Sequence, residues 1–241
     1  NFGAIGDAKL VLKQMINEYR RQNASKHYPS GDSVLKEIIR TREEFSAEWE
    51  PRHTSSEVPI SPYRVFRELA TNLDVENTII THDSGYPRDQ LVPMWQSLTP
   101  RGYIGWGKST QLGYGLGLSM GAKLASPDKQ IVNVMGEAAF GMTGLDIETA
   151  VRSEIPIMTI VLKNSVMTNY NRRMPTAAAQ FKSDQLTGDY AKVAEGLGAY
   201  SEEITDPEEL SSAIRRAETA NQQGQAAVLQ VISKVEKDVA V

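Results

Sequence analysis

A carboxylate and a carboxamide, Glu137 and Asn164, stand just past the ends of two apolar runs in this chain. Glu137 lies in Met135-Gly136-Glu137-Ala138-Ala139-Phe140, after the β-rich run 129–135 (KQIVNVM), which ends at a glycine. Asn164 follows the second run, 157–162 (IMTIVL). Between them, 144–152 carries Leu145, Ile147, Ala150 and Val151 at helical spacing. Two parallel strands joined by a crossover helix end on the same edge of a sheet. That topology makes Glu137 and Asn164 neighbours in space. Their side chains supply oxygen ligands for a hard cation. Gly136 and the small Ala138 and Ala139 let backbone N–H groups approach an anion at the helix start. A cation with a diphosphate is the economical reading of that edge.

The same residues carry a resemblance. Gly136-Glu137-Ala138 through Lys163-Asn164-Ser165 resembles the thiamine-diphosphate signature, in which Gly-Asp-Gly is followed, after a helix and a strand, by Asn-Asn. Asn164 falls on the second Asn, a magnesium ligand in that family. The text GEAAFGMTGLDIETAVRSEIPIMTIVLKN is similar to the acetolactate synthase and oxalyl-CoA decarboxylase branch, with Phe140 and Met142 matching its context. The similarity runs from about Pro59 to about Ser233. It implies a Mg²⁺ held by Glu137, Asn164 and the Val166 carbonyl, with diphosphate oxygens and water in the remaining positions. It implies that Ser84, Gly85 and Tyr86 hold the diphosphate of a bound thiamine diphosphate. The Thr110 carbonyl would meet the aminopyrimidine ring, and Leu112 would lie under the cofactor and bend it into a V. Leu112 as an ordinary core residue is the alternative. Gln111, Gly136, Ala138, Ala139, Met142 and Met167 complete the implied cofactor-binding set. Two departures from the pattern matter: Glu137 replaces Asp, and Lys163 replaces the first Asn. Glutamate is one methylene longer, and Mg²⁺ demands near-octahedral geometry at ~2.1 Å. Either the backbone withdraws to accommodate it or metal affinity is weakened.

The elements that must position these residues read as an α/β domain. Helices are expected over 63–73, 110–125, 144–152, 190–197 and 207–220, and strands over 78–81, 103–104, 129–135, 157–162, 199–204 and 226–232. Asp206 is the expected cap of its helix, with Pro207 in the first turn. The alternation predicts a doubly wound, mainly parallel sheet flanked by helices, preceded by a helical linker. Residues 1–22 resemble the end of a middle domain, with an apolar helical face (Leu10, Val11, Met15, Ile16, Tyr19) capped by Asp7. Residues 23–58 read as a linker with one helix over 33–49, and 59–241 as the diphosphate-side domain. An N-terminal half is expected to precede this chain; a short protein with an N-terminal helix is the alternative.

The 241 residues suffice for one sizeable domain, and a formal charge of −4 argues against a nucleic-acid or anionic-membrane surface. No apolar run approaches the ~20 residues of a membrane span. Neither nucleic acid nor membrane is an expected partner. Cysteine is absent, which excludes disulfides and thiolate metal sites and agrees with a cytoplasmic protein.

Other constellations invite weaker readings. His82-Asp83-Ser84-Gly85-Tyr86 sits at the same strand-end edge, where open α/β sheets collect ligands. Asp83 would repel phosphate and is expected to accept bonds from the turn itself. His82 is either a donor or a packed turn histidine. Gly107-Lys108-Ser109-Thr110 lacks the earlier glycine of a nucleotide-triphosphate loop. Gly113, Gly115, Gly117 and Gly121 do not have dinucleotide spacing, and close helix packing explains them better. Arg172 and Arg173 either pair with a substrate carboxylate or CoA phosphate or form a solvated pair. Residues 177–189 are polar enough for a mobile lid. The histidines of the linker, His27 and His53, have no partners at ligand spacing.

The resemblance implies the C-terminal part of a thiamine-diphosphate- and Mg-dependent carboligase or decarboxylase acting on a 2-keto acid. Alternatives are an oxalyl-CoA decarboxylase or 2-hydroxyacyl-CoA lyase and a non-catalytic cofactor-binding scaffold. No catalytic side chain is expected here: the family's glutamate belongs to a pyrimidine-binding domain that no residue of this chain matches. That half-site normally comes from another subunit, which implies a homodimer or homotetramer. An FAD site would sit largely in the middle domain, and these residues carry no mark of it.

Overall fold

The computed structural model describes residues 3–25, 31–105, 111–167, 169–236 and 238–239. The chain forms two compact units, Asn1–Glu48 and Trp49–Val241. In the first, α1 (Ala8–Gln22) is capped as expected: Asp7 Oδ1 accepts from the Leu10 N–H at 3.0 Å. Helix α2 (Asp32–His53) runs past the predicted end and through Pro51. Its last turns belong to the second unit. Trp49 is buried against Tyr63, ring centroids 4.8 Å apart, and the Arg52 guanidinium lies over the Trp49 ring at 4.7 Å. Those contacts draw part of the expected linker into the second unit.

The second unit begins with α3 (Pro62–Asn72), whose proline takes the first turn. Then come β1 (Thr78–His82), α4 (Tyr86–Leu91), β2 (Tyr103–Ile104), α5 (Tyr114–Ala125), β3 (Gln130–Gly136), α6 (Glu137–Thr143) and α7 (Ile147–Arg152). The chain continues through β4 (Met158–Lys163), α8 (Tyr170–Arg173), α9 (Pro175–Phe181), α10 (Tyr190–Gly196), β5 (Tyr200–Ile204), α11 (Leu210–Gln222) and β6 (Ala227–Ile232). The six strands pair in the order β2-β1-β3-β4-β6-β5, all in parallel. Strands β1, β3, β4 and β6 are buried almost throughout, as a sheet covered on both faces requires. One face packs Leu116 of α5, Phe140 of α6, Ile147 of α7 and Ala194 of α10 onto Ile79, Ile131, Met135, Val161 and Val228. On the sheet's other flank α3 packs against α11, and α11 against β4, β5 and β6.

Some predicted stretches differ in detail. The helix expected over 144–152 is preceded by a separate helix, α6, and starts as a 3-10 turn, Gly144–Asp146, before α7. The helical path is interrupted at Thr143, φ −133° and ψ 0°, and Gly144 gives the Phe140 ring room, since a Cβ there would meet it at 2.5 Å. The start of the polar stretch 177–189 lies in α9, and Asp184–Leu186 hydrogen-bonds back onto Ser165 and Met167. Among the described residues, no helix is long and apolar enough to cross a membrane.

The connection leaves β1 towards β2 on one side and returns to β3 on the other. The order therefore reverses between β1 and β3, and in open parallel sheets that switch point opens a crevice beyond the strand ends. Helix α5 must come close to this edge. A Cβ on Gly115 would meet Asn133 Oδ1 at 2.7 Å and the His82 carbonyl at 3.0 Å, and one on Gly113 would meet Thr143 Cγ2 at 2.4 Å. Close packing thus accounts for these two glycines. It does not account for Gly117 and Gly121, where an added Cβ meets nothing within 4 Å. Gly115→Ala is expected to lower stability by about 1–3 kcal/mol through overpacking. Gly117→Ala, on the open face of the same helix, is expected to raise it by about 0.5–1 kcal/mol. Denaturant midpoints of the two variants check this, and shifts of the same sign would contradict it.

Candidate functional site

Register brings the two oxygen-bearing side chains together. Gly136 pairs with Leu162 across β3 and β4, so Glu137 and Asn164 leave the sheet side by side. The Asn164 N–H donates to Glu137 Oε1 at 3.1 Å. The Asn164 side chain turns back on its own loop, where Oδ1 accepts from the Val166 N–H at 3.1 Å. That loop contains Ser165 at φ +61° and is braced by Met167 N–H to Asp184 O at 2.7 Å and Leu186 N–H to Ser165 O at 3.0 Å.

Glu137 is 2% exposed, and its second oxygen, Oε2, is buried without a hydrogen-bond partner. Burial pushes the carboxyl above its usual range; the N–H groups of Ser165, Asn164 and Val166 and the charge of Lys163 pull it back only in part. An unsatisfied buried polar group costs roughly 1–3 kcal/mol, and more when charged. A divalent cation would satisfy Oε2, and Asn164 Oδ1 keeps a second lone pair for the same ion. The residues present fit a hard cation: two side-chain oxygens of the right kind, one of them orphaned, at the rim of a cavity.

The cavity has a volume of about 340 Å³ and opens at the β1/β3 switch point. Of the residues expected to bind cofactor, Ser84, Gly85, Tyr86, Leu112, Gly136, Glu137, Ala138, Ala139, Asn164, Val166 and Met167 line it. Gly85 adopts φ +86°, a backbone conformation that favours glycine. The Tyr86 hydroxyl accepts from Asn169 Nδ2 at 3.3 Å. Gln111 and Met142 do not line the cavity. Met142 is on the outward face of α6, 59% exposed. Thr110, with the rest of 106–110, lies outside the described residues. Of the arginine pair, Arg173 lines the cavity and Arg172 does not.

Sequence reasoning missed the far side of the cavity: Pro62, Gln90, Ser233, Lys234 and Glu236. Ser233 follows β6, which lies beside β4, and its N–H donates to the Lys163 carbonyl at 2.8 Å. The bridge between Ile60 and Ser233 brings the start of α3 to the same place. The apolar run of β6 was legible, but not its position next to β4.

His82 is buried against Tyr103 and Tyr114 and lies outside the cavity lining. Its Nδ1 is 3.1 Å from both the Asp83 carbonyl and the Tyr114 hydroxyl. Burial pushes its pKa down, which favours the neutral ring. It is the packed turn histidine. Asp83 takes the N–H of its own turn, Ser84 to Oδ1 at 2.8 Å, as expected, and also reaches two N–H groups at the start of α5.

Residues 83–231 match the family model described as thiamine pyrophosphate enzyme, C-terminal TPP binding domain. A probable acetolactate synthase large subunit from Methanococcus aeolicus is 25% identical over 224 residues, 88% of this chain and 37% of the relative. A 2-hydroxyacyl-CoA lyase from Arabidopsis thaliana is 25% identical over 224 residues, 89% of this chain and 39% of the relative. A 2-hydroxyacyl-CoA lyase 2 from Bos taurus is 31% identical over 144 residues, 58% of this chain and 22% of the relative. The chain therefore spans less than two-fifths of the length of these relatives. With the family match running over more than half of the chain, including Ser84, Glu137 and Asn164, the chain belongs to the C-terminal TPP-binding domains of thiamine pyrophosphate enzymes.

Proposed function

We propose that this chain is the diphosphate- and Mg²⁺-holding part of a thiamine-diphosphate-dependent enzyme that acts on 2-keto acids in the manner of an acetolactate synthase. The observation that carries the reading is the buried, unpartnered Glu137 Oε2 beside Asn164 at the switch-point cavity. Bound thiamine diphosphate supplies a nucleophilic ring carbon, the chemistry that protein side chains lack. The chain's own residues bind and orient. Glu137 Oε1 fixes the 164–166 loop, leaving Oε2, Asn164 Oδ1 and the Val166 carbonyl to hold the cation. The Ser84 hydroxyl and the open backbone at Gly85 would meet the diphosphate. Leu112, Ala139 and Met167 give the cavity an apolar wall that sheds water. The pyrimidine half of the site is proposed to come from another subunit of a homo-oligomer.

A second reading, towards 2-hydroxyacyl-CoA chemistry, is favoured by Arg173 at the cavity, a cation suited to a CoA phosphate, and by the names of several relatives. Product analysis with pyruvate against an acyl-CoA substrate separates the two in an assembled enzyme. The 241-residue chain by itself is expected to turn over neither substrate, and a clean decarboxylation rate from it would contradict the half-site proposal.

Calorimetry tests the metal site. Thiamine diphosphate is expected to bind only when Mg²⁺ is present. Glu137→Ala is expected to weaken that binding by roughly tenfold or more, the scale set by losing a group that orients or coordinates a metal. Binding that ignores Mg²⁺, or that survives the substitution unchanged, would overturn the assignment.

A further inference from the structure

We propose that Asp83 is a positioning residue that registers the two walls of the cavity against each other; the proposal rests on the reading that the cavity takes thiamine diphosphate. Asp83 is fully buried at the end of β1 and does not line the cavity. Its Oδ1 accepts the N–H of Ser84 at 2.8 Å and of Gly113 at 3.0 Å; its Oδ2 accepts the N–H of Gly113 at 3.1 Å and of Gly115 at 2.9 Å. Both carboxylate oxygens are occupied by backbone donors. The side chain is therefore not a free metal ligand.

Helix α5 has no side-chain cap of its own: its N-cap is Gly113, at φ +91°. The first N–H groups of a helix lack partners within it and carry the positive end of its dipole. Asp83 supplies the missing acceptors from 30 residues away, as a charge-assisted clip. Ser84 follows Asp83 on one wall, and Leu112 precedes Gly113 on the other; both face the cavity. The clip sets the spacing between them.

The two walls do not depend on it equally. The turn after β1 is held independently by Asp83 N–H to Val134 O at 2.8 Å, Arg88 N–H to Gly85 O at 3.1 Å and Asp89 N–H to Gly85 O at 3.2 Å. None of these uses the Asp83 side chain. Loss of the carboxylate also frees the Ser84 N–H, but the turn keeps these backbone bonds, whereas Gly113 and Gly115 lose the acceptors that tie the start of α5 to β1; the Leu112 wall is therefore disturbed more than the Ser84 wall. A cofactor that spans both walls suffers; a ligand that uses only the diphosphate side does not.

The test compares thiamine diphosphate with inorganic pyrophosphate, each with Mg²⁺, by calorimetry on the wild-type chain and on Asp83→Asn, whose side chain has the same shape with one acceptor fewer. The expected result is a loss of roughly tenfold or more for thiamine diphosphate and of less than about twofold for pyrophosphate, with a cooperative thermal transition retained. Equal losses for both ligands, or none, overturn the proposal. Wild-type chain that binds pyrophosphate as tightly as thiamine diphosphate also overturns it while sparing the diphosphate site. Failure of the wild type to bind either ligand sinks the underlying cofactor reading instead. Should Asp83→Asn not fold, amide exchange on the wild type decides. Gly113 and Gly115 protected like the strand amides of β3 support the clip, and exchange at the rate of a frayed helix end removes it.

Discussion

One contact organises this molecule: the Asn164 N–H on Glu137 Oε1, made where β3 and β4 leave the sheet together. It exists because two buried parallel strands end in register, and it leaves the other oxygen of a buried carboxylate without a partner. A protein rarely keeps a buried acid half-satisfied, since the desolvation cost is large. The cost makes sense where a cation completes the group. Asn164, Val166 and Met167, in a loop braced from 184–186, line the same cavity as Glu137.

The sheet order supplies the place and the glycines supply the approach. Reversal between β1 and β3 opens the crevice, while Gly113 and Gly115 let α5 close on it. The carboxylate of Asp83 then substitutes for a helix cap that α5 lacks. Two buried acids thus do opposite work at one edge. Asp83 is saturated by backbone donors; Glu137 keeps one oxygen unpartnered and lines the cavity.

Much of this was legible in the chain. The apolar runs around 129–135 and 157–162 read directly as strands, and their crossover placed Glu137 beside Asn164. Elements set by local pattern came out within a few residues, as with Asp206 accepting from the Glu208 N–H ahead of α11. What escaped depends on distant contacts. The break between α6 and α7 lies at Thr143, beside Gly144, whose lack of a Cβ lets the Phe140 ring pack there, and nothing local in the sequence shows that contact. Asp83 was assigned to its own turn because nothing local shows that α5 returns to it. The Ser233 side of the cavity hinges on β6, and not β5, lying next to β4. Met142 matched a family position, yet the turn of α6 points it outward.

The most direct test of the central claim is anomalous diffraction from crystals of the chain soaked with Mn²⁺ and thiamine diphosphate. The account predicts one strong peak within bonding distance of both Glu137 Oε2 and Asn164 Oδ1, where β3 and β4 leave the sheet. Clear density for the diphosphate with no metal between those two oxygens, or a metal bound elsewhere on the sheet, would contradict it.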